Sequence, residues 1–399
     1  MQKTKILFVM SSMKAGGAEK ALVNLLSAMD SQIFDISLQL FYYEGLYLDM
    51  IPDYVKLLPP IPEYEAITAK YPKMLRMSLR LHKPQIIFKR ISTSLKLRSV
   101  SNLKTGYRRQ ITGKANVSVL PHSSESYDVA VGYIHGASFY YVMDRVTAKK
   151  KITWVHNDFA LSGFDIKFEI PYYRRVDRIA VVSNENLISH KAIFPEFASK
   201  MSAVYSIVSK KLLKELAGKF YPEEYIGFDG VKLLTVGRFT YQKGYDIAID
   251  AGLELKNRGV DFKWYIIGAG ELEEEIKQLA EEKGVSDRFV FLGLRQNPYP
   301  YFANSDIYVQ SSRFEGYGIA IQEARLLCVP TAVTNFTIAK DQITDGENGL
   351  ITDMDGVSLA GGIERLIDDS ELYNKIRSNL SSEKDTLDSL QTHYELFSV

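Results

Sequence analysis

Two carboxylates eight positions apart, Glu315 and Glu323, lie in the segment SSRFEGYGIAIQEA at 311–324. They flank the point near Ile319 where a glycine-containing loop, ending at Gly318, gives way to a helical pattern of apolar residues. A helix N-terminus offers unpaired backbone N–H groups and a partial positive charge, so it can hold a phosphate. A carboxylate one turn into the helix can accept hydrogen bonds from ligand hydroxyls. The segment therefore predicts a nucleotide-sugar site with the diphosphate at the helix start.

Two cations follow the apolar run KLLTV at 232–236, which is typical of a buried strand. Arg238 comes directly after Gly237, and Lys243 lies five positions further along. An arginine can bind a phosphate through two parallel hydrogen bonds, and a lysine supplies a point charge. The plainer interpretation is two surface bases in a turn. We favour a diphosphate site, because this loop and the Glu315 loop both follow predicted parallel strands, whose carboxyl ends share one sheet edge.

Other candidates also follow strand-like runs. Gly16 and Gly17 come after the first run, and Gly268 comes after the run FKWYII. Glycines at such points let a phosphate or a sugar approach the backbone closely, so we expect them to bind the nucleotide sugar. His156 ends the run KITWV and is a candidate active-site residue, although a lone histidine is more often structural. His135 has a similar placement, and we rank it below His156.

A D-x-D pair, Asp353 and Asp355, resembles the metal-binding motif of another class of sugar transferases. In those proteins the motif follows a strand early in the chain, whereas here it lies in a predicted turn before the final helices. We therefore expect a surface turn, and we expect no essential metal or other cofactor.

The chain has 399 residues, a formal net charge of +1 and a single cysteine. This length allows two or three domains, and one cysteine excludes an internal disulfide framework. The first apolar run spans about five residues, which is too short for a signal peptide. No run approaches the ~18 apolar residues of a membrane span. We expect a cytoplasmic protein.

Charge is distributed unevenly, since residues 66–124 contain thirteen Lys or Arg and no Asp or Glu. Apolar residues are interleaved with these bases. A basic amphipathic segment is typical of a surface that docks on anionic lipid, so we expect a peripheral location on the inner face of the cell membrane. A solvated helical insertion is the alternative. Nucleic acid is not expected, because no recognised nucleic-acid module accompanies the charge.

Short apolar runs alternate with helical patterns along both halves of the chain. We predict an α/β fold of two doubly wound parallel-sheet, Rossmann-like domains that face each other across a crevice. The first domain, residues 1–208, would bind the acceptor and carry the basic insertion 66–124. The second, residues 209–380, would bind the nucleotide sugar, and residues 381–399 would form a helix that packs back toward the first domain.

The chain resembles the family 4 glycosyltransferases of bacterial surface-polysaccharide biosynthesis, which have the GT-B architecture. The resemblance covers nearly the whole chain and is most specific from Leu233 to Ile351. The matching segments are GGAEK at 16–20, TWVHND at 153–158, VGRFTYQKGYD at 236–246, IIGAGELE at 266–273, SSRFEGYGIAIQEA at 311–324 and DGENGLI at 345–351. Glu315 and Glu323 match the E-x7-E signature of the family. The chain departs from the pattern at 204–209, where it has VYSIVS and many members have an Asn-Gly pair.

The resemblance implies a retaining transfer from a nucleoside diphosphate sugar, a UDP-sugar, without an essential metal. The acceptor would be a glycan or a lipid-linked glycan in capsule or lipopolysaccharide synthesis. The implied roles are as follows: Glu315 at the reacting face of the donor sugar, Glu323 at the ribose, Arg238 and Lys243 on the leaving diphosphate, the backbone of Gly318 and Ile319 beside it, His156 near the donor sugar, and Leu294 and Arg295 beside the base.

Two alternatives from other functional classes remain open. One is a sugar-nucleotide epimerase with the same GT-B architecture, and the other is a non-catalytic, membrane-docked subunit of a transferase complex. The E-x7-E signature together with Arg238 and Lys243 argues against the epimerase. A non-catalytic subunit would not need the charged residues Arg238, Lys243, Glu315 and Glu323, so their presence argues against the second alternative.

Overall fold

The computed structural model describes residues 3–99, 104–159 and 161–398. Residues 100–103 of the predicted basic insertion, residue 160, and the terminal residues 1–2 and 399 lie outside the described residues. The chain divides into two compact units, which are Met1–Lys14, Ala18–Tyr205 and Ser389–Val399 for the first and Ala15–Gly17 and Ser206–Asp388 for the second.

The strands of the first unit form one parallel sheet. They are β1 (Thr4–Met10), β2 (Phe34–Leu40), β3 (Lys56–Leu58), β4 (Ser126–Gly132), β5 (Thr147–Val155), β6 (Arg178–Val181) and β7 (Met201–Ala203). Their order across the sheet is β3-β2-β1-β4-β5-β6-β7, so the order reverses between β1 and β4. β1 pairs with β2 from Thr4 opposite Phe34 to Met10 opposite Leu40. β1 is buried along most of its length because helices cover both faces of such a sheet.

Nine helices of the described residues belong to the first unit. They are α1 (Gly17–Ala28), α2 (Pro62–Thr68), α3 (Tyr71–Arg80), α4 (Gln85–Ser99), α5 (Thr105–Val117), α6 (Ala137–Arg145), α7 (Ile166–Arg175), α8 (Asn184–Ile193) and, at the end of the chain, α17 (Leu390–Phe397). The basic insertion thus folds mainly as α3, α4 and α5. α17 packs on the sheet of the first unit, since the ring of Phe397 lies 5.7 Å from that of Phe8.

The strands of the second unit form a second parallel sheet. They are β8 (Val231–Val236), β9 (Phe262–Ile267), β10 (Phe289–Gly293), β11 (Ile307–Gln310), β12 (Thr331–Thr334) and β13 (Leu350–Thr352). Their order is β10-β9-β8-β11-β12-β13, which reverses between β8 and β11. β8 pairs with β11 through Leu233 opposite Ile307. The core of this unit includes Trp264, Ile249 and Leu359, all fully buried.

The helices of the second unit alternate with its strands. They are α9 (Lys210–Ala217), α10 (Tyr245–Asn257), α11 (Glu273–Glu282), α12 (Tyr299–Ala303), α13 (Ile319–Leu326), α14 (Ala339–Gln342), α15 (Gly356–Asp368) and α16 (Ser370–Ser381). The two sheets and their helices confirm the predicted pair of doubly wound parallel-sheet folds. In the part of the chain that the structure describes, no helix is both long enough and apolar enough to cross a bilayer.

Candidate active site

The strand order of the second sheet reverses between β8 and β11, which lie side by side. In open parallel sheets, ligands bind at the carboxyl ends of the strands where the order reverses. The loop after β8 carries Arg238 and Lys243, and the loop after β11 carries Glu315. The predicted cations and the first predicted carboxylate therefore share one edge of one sheet.

Lys243 and Glu315 form an ion pair in which Lys243 Nζ lies 2.6 Å from Glu315 Oε1. Their side chains are only 16% and 6% exposed. Such a pair needs good geometry and additional hydrogen bonds, because both charges have been taken out of water. A diphosphate that reached Lys243 would meet a cation that is already positioned and largely desolvated.

Three further side chains bind the Glu315 carboxylate. Ser312 Oγ donates to Oε1 at 2.5 Å, Gln310 Nε2 donates to Oε1 at 3.2 Å, and Gln242 Nε2 lies 3.4 Å from Oε2. Tyr308 OH donates to Gln310 Oε1 at 2.5 Å and so fixes the orientation of that amide. Gln310 and Ser312 were not predicted as site residues from the sequence. The available signal was a glutamine and two serines at the end of an otherwise apolar strand.

The loop that carries Lys243 is pinned to the end of β11. Gly244 has φ +60°, and a Cβ built on it would lie 2.2 Å from the carbonyl oxygen of Ser311, so this approach requires glycine. Ser311 Oγ donates to the carbonyl oxygen of Lys243 at 2.9 Å. Arg313 forms two parallel hydrogen bonds with Asp246, of 2.8 and 2.5 Å. These contacts hold the Lys243 backbone in a fixed position relative to β11.

Arg238 lies in the same loop and is exposed. Its side chain has no hydrogen bond or ion pair with any residue that the structure describes. A Cβ on the preceding residue, Gly237, would lie 3.1 Å from Lys243 Cε, so the backbone at Gly237 packs closely against the aliphatic part of the Lys243 side chain. The Arg238 guanidinium is therefore available for an anionic ligand beside Lys243.

Helix α13 begins at Ile319, as predicted, and Gly318 precedes it with φ +81°. Within the described residues, no side chain caps this N-terminus, which leaves its first N–H groups for a ligand. Gln342 Nε2 donates to the carbonyl oxygen of Gly318 at 3.2 Å, and this hydrogen bond stabilises the loop before α13. A Cβ on Gly318 would lie 3.0 Å from Ile321 Cδ1 and would adopt a backbone conformation that disfavours side chains.

Glu323 is buried one turn into α13, four positions after Ile319 and on the same helix face. Tyr299 OH donates to Glu323 Oε1 at 2.7 Å. This hydrogen bond fixes the orientation of the carboxylate. Tyr299 was not named from the sequence, and nothing in its local pattern indicates this contact.

The ends of β8, β9 and β10 approach each other closely through glycines. A Cβ on Gly268 would lie 1.9 Å from the carbonyl oxygen of Gly237, a distance that no side chain tolerates. The Gly268 N–H donates to the carbonyl oxygen of Gly293 at 3.0 Å. Gly237 and Gly268 thus shape the sheet edge.

Leu294 and Arg295, the residues expected beside the base, follow β10. Leu294 is 47% exposed and offers an apolar surface. Arg295 Nε donates to Tyr301 OH at 3.1 Å and Arg295 Nη2 donates to Glu224 Oε1 at 2.8 Å. The hydrogen bonds with Tyr301 and Glu224 raise the pKa of Arg295. The guanidinium of Arg295 is therefore already paired within the protein.

His156 lies directly after β5 in the first unit. Burial lowers the pKa of His156 to about 4, against a weaker opposing hydrogen bond with the Tyr133 backbone, so the ring is neutral at pH 7. Its Nε2 is buried and has no hydrogen-bond partner among the described residues. A neutral imidazole with one unsatisfied nitrogen can bind a ligand hydroxyl.

His135 belongs to a buried polar cluster of the first unit. Its Nε2 lies 3.3 Å from Tyr173 OH and 3.8 Å from Glu169 Oε2. Burial lowers the pKa of His135 to about 3 and raises the pKa of Glu169 to about 7.

Gly16 and Gly17, the glycine pair after β1, are grouped with the second unit, and Gly17 is the first residue of α1.

The D-x-D pair has a structural role at Asp355. Its two carboxylate oxygens accept hydrogen bonds of 2.8 Å from the backbone N–H and the hydroxyl of Ser358, so Asp355 caps the N-terminus of α15. In the described part of the chain, no three His, Cys, Asp or Glu side chains are grouped so that they could hold a metal ion.

Comparison with known proteins gives a family-model match over most of the second unit. Residues 226–382 match the family model described as glycosyl transferases group 1. The lipopolysaccharide core biosynthesis glycosyltransferase LpsE of Rhizobium meliloti is 32% identical over 149 residues, which cover 37% of this chain and 43% of LpsE. The N-acetylgalactosamine-N,N'-diacetylbacillosaminyl-diphospho-undecaprenol 4-alpha-N-acetylgalactosaminyltransferase of Campylobacter jejuni is 24% identical over 209 residues, which cover 52% of this chain and 54% of that protein. The chain thus spans about half the length of the curated relatives it matches.

Solved structures match over nearly the whole chain. Anabaena Alr3699/HepE, crystallised in complex with UDP and glucose, gives a TM-score of 0.69 at 18% identity and covers 99% of this chain and 100% of that chain. At this level of identity the match shows the fold. The chain has the GT-B fold that its sequence predicted, and residues 226–382, which contain Arg238, Lys243, Glu315 and Glu323, match the family model of the group 1 glycosyl transferases.

Proposed function

We propose that the protein is a retaining glycosyltransferase that moves a sugar from a UDP-sugar to a glycan or lipid-linked glycan acceptor in surface-polysaccharide synthesis. We further propose that it acts in the cytoplasm and needs no essential metal. The observation that carries the proposal is the buried Lys243–Glu315 ion pair, 2.6 Å long, beside the unpaired guanidinium of Arg238. Two positioned cations at the carboxyl edge of a parallel sheet suit a diphosphate leaving group.

The comparisons support the choice of donor and acceptor. Alr3699/HepE was crystallised with UDP and glucose, which favours a UDP-sugar as donor. The name of the Campylobacter jejuni relative describes transfer to a diphospho-undecaprenol acceptor with an alpha linkage. LpsE is named for lipopolysaccharide core biosynthesis. These names motivate a lipid-linked or lipopolysaccharide acceptor and a product of retained configuration.

In the proposed reaction, the bond between the anomeric carbon and the diphosphate oxygen breaks, and a bond to the acceptor oxygen forms on the same face. The acceptor proton passes to an oxygen of the departing diphosphate. Negative charge grows on the diphosphate during this step, and Arg238 and Lys243 stabilise it. Glu315 Oε1 is already occupied by hydrogen bonds from Lys243 and Ser312, which favours a role in holding the lysine and the sugar over direct attack on carbon.

The test has two stages. A panel of UDP-, GDP-, ADP- and TDP-sugars is first screened against the full chain by thermal shift, and the stabilising donor is then incubated with candidate acceptors. Proton NMR of the product reports the configuration at the new linkage. We expect stabilisation by a UDP-sugar and an alpha product from an alpha donor. A beta product would contradict the retaining mechanism, and stabilisation by another nucleotide alone would contradict the choice of donor.

The same experiment separates the two alternatives. An epimerase would convert the donor sugar to its epimer without an acceptor, and a non-catalytic subunit would neither hydrolyse nor transfer any donor. We favour transfer, because Arg238 and Lys243 suit a diphosphate leaving group and the E-x7-E signature argues against an epimerase.

A further inference from the structure

Helices α3 and α4, within the basic insertion, expose apolar side chains in two stripes. On α3, Tyr71, Leu75 and Leu79 are spaced four positions apart and therefore lie on one face. On α4, Phe88, Ile91 and Leu95 follow the i, i+3, i+7 spacing of one face. Large apolar residues grouped on an exposed surface mark an interaction site rather than chance exposure.

The exposure of these stripes is high. Leu79 is 70% exposed, Phe88 is 72% exposed and Leu95 is 59% exposed. Each helix already has a separate buried face, which includes Met74 on α3 and Ile86 on α4. The exposed stripes are therefore a second apolar face, beyond the one that packs on the core of the first unit.

The two stripes lie on neighbouring helices. Tyr71 OH lies 3.4 Å from Ser94 Oγ, so the start of α3 contacts the C-terminal half of α4 next to Leu95. Met74 and Ile86 belong to the same core cluster of the first unit. We call the exposed apolar residues of α3 and α4, with the bases beside them, the α3–α4 face.

Bases border the apolar stripes. On α3 they are Lys73, Arg76 and Arg80, and on α4 they include Lys89 and Lys96. Arg76, Arg80 and Lys89 have no ion pair with any described residue. The nearest acids in sequence, Glu63 and Glu65 on α2, are engaged with Lys83 at 2.6 Å and Lys73 at 2.7 Å. Arg76, Arg80 and Lys89 thus keep their positive charge without an acidic partner among the residues that the structure describes.

We infer that the α3–α4 face docks the protein on an anionic lipid bilayer. Exposed apolar side chains flanked by bases are what an interfacial helix needs, since the apolar groups enter the headgroup region and the bases meet lipid phosphates. A second copy of the chain fits the face poorly. A symmetric pairing would bring the bases of both copies against each other. This inference does not rest on the proposed sugar transfer.

The test measures flotation of the full chain with vesicles of phosphatidylglycerol and phosphatidylcholine at low salt. Vesicles of phosphatidylcholine alone serve as the reference. We expect binding only to the anionic vesicles, and weaker binding as salt increases. The triple variant Arg76→Glu, Arg80→Glu, Lys89→Glu should lower the affinity at least about tenfold, because several bases act together. Leu79→Ser combined with Phe88→Ser should also weaken binding.

A matched variant controls for net charge. Lys167→Glu, Arg174→Glu and Arg178→Glu reverse three exposed bases of the same unit outside the α3–α4 face, and this variant should bind the vesicles nearly as well as the wild type. Circular dichroism and thermal unfolding report whether each variant is folded. Equal loss of binding in both triple variants would overturn the inference. Absence of binding of the wild-type chain to anionic vesicles at low salt would also overturn it. Sedimentation velocity that shows dimers abolished by the Leu79 and Phe88 changes would assign the face to a second copy instead.

Discussion

Lys243 Nζ and Glu315 Oε1 lie 2.6 Å apart, although the two residues are 72 positions apart in the sequence. The adjacent strands β8 and β11 bring them together, because their loops leave the same edge of the second sheet. Gly244 and the Arg313–Asp246 pair then hold the two loops against each other. This relationship is the structural basis of the proposed diphosphate site.

Removing either cation should slow the transfer more than it weakens donor binding. Charge on the diphosphate grows in the transition state, so Arg238→Ala or Lys243→Ala should lower kcat at least about tenfold. Steady-state kinetics with the preferred donor measure this. Lys211→Ala, at an exposed position of α9, is the control and should leave kcat unchanged. A rise in KM with unchanged kcat would show that the cations stabilise the bound donor and the transition state equally.

Removing the carboxylate of α13 should weaken nucleotide binding. Glu323 is proposed to bind the ribose, and its loss leaves ligand hydroxyls unpaired, which costs about 1–3 kcal/mol. Isothermal titration of UDP into Glu323→Ala measures the loss. Tyr299→Phe removes the hydrogen bond that orients the carboxylate and should cost less. Unchanged UDP affinity in Glu323→Ala would contradict the proposal that Glu323 binds the ribose.

Two glycine substitutions should change stability in opposite directions. A Cβ on Gly268 would lie 1.9 Å from the Gly237 carbonyl oxygen, so Gly268→Ala should destabilise the second unit by about 1–3 kcal/mol or more. Gly361 lies inside α15, where a Cβ would have no other atom within 4 Å, so Gly361→Ala should stabilise by roughly 0.5–1 kcal/mol. Urea unfolding of both variants and the wild type gives the comparison. Equal stability of the two variants would contradict the close approach at Gly268.

The buried carboxyl of Glu169 should make stability depend on pH. Burial raises its pKa from 4.5 to about 7, so between these values the folded protein keeps a proton that the unfolded chain has lost. The free energy of unfolding therefore falls as pH rises through this range, by on the order of 3 kcal/mol. Glu169→Gln keeps an acceptor for Tyr140 and Gln110 and should abolish this fall.

The pH effect is measured as the difference in unfolding free energy between Glu169→Gln and the wild type from pH 4 to pH 8. The variant should gain stability relative to the wild type as pH rises. Glu196→Gln, at an exposed position of the same unit, should follow the wild type throughout. A constant difference between Glu169→Gln and the wild type would show that this carboxyl ionises normally in the folded protein.

Transfer should survive removal of divalent metal. In the proposed mechanism, Arg238 and Lys243 would supply the positive charge that a metal ion provides in other sugar transferases. Activity in the presence of EDTA should therefore equal activity in its absence. Loss of activity that Mg²⁺ or Mn²⁺ restores would contradict this expectation and would require a fresh search for carboxylate ligands, beginning with Asp353.

Much of this architecture could be predicted from local patterns. The alternation of apolar runs and helical segments predicted both sheets, and the glycine loop before Ile319 predicted the start of α13. The spacing of Glu315 and Glu323 matches the E-x7-E signature, and their role as site residues stays a prediction. These features are local, because they depend on periodicity and on the conformational freedom of glycine.

Contacts between distant segments could not be predicted in the same way. The hydrogen bonds of Gln310 and Ser312 to Glu315, of Tyr299 to Glu323 and of Gln342 to Gly318 depend on side-chain positions that only the folded sheet defines. The engagement of Arg295 with Glu224 is of the same kind, since 71 positions separate them. The two exposed apolar stripes of α3 and α4 could not be predicted either, because the sequence does not show which face of each helix packs on the core.

A crystal structure of the full chain with UDP would show directly whether this edge of the second sheet holds the diphosphate. We expect diphosphate oxygens within hydrogen-bond distance of the Arg238 guanidinium and Lys243 Nζ, and the ribose hydroxyls within hydrogen-bond distance of Glu323. The Lys243–Glu315 pair should remain in place or lengthen only as the lysine turns to the phosphate. A diphosphate bound away from both cations, with the ion pair undisturbed and Glu323 without a ligand, would rule out the proposed diphosphate site.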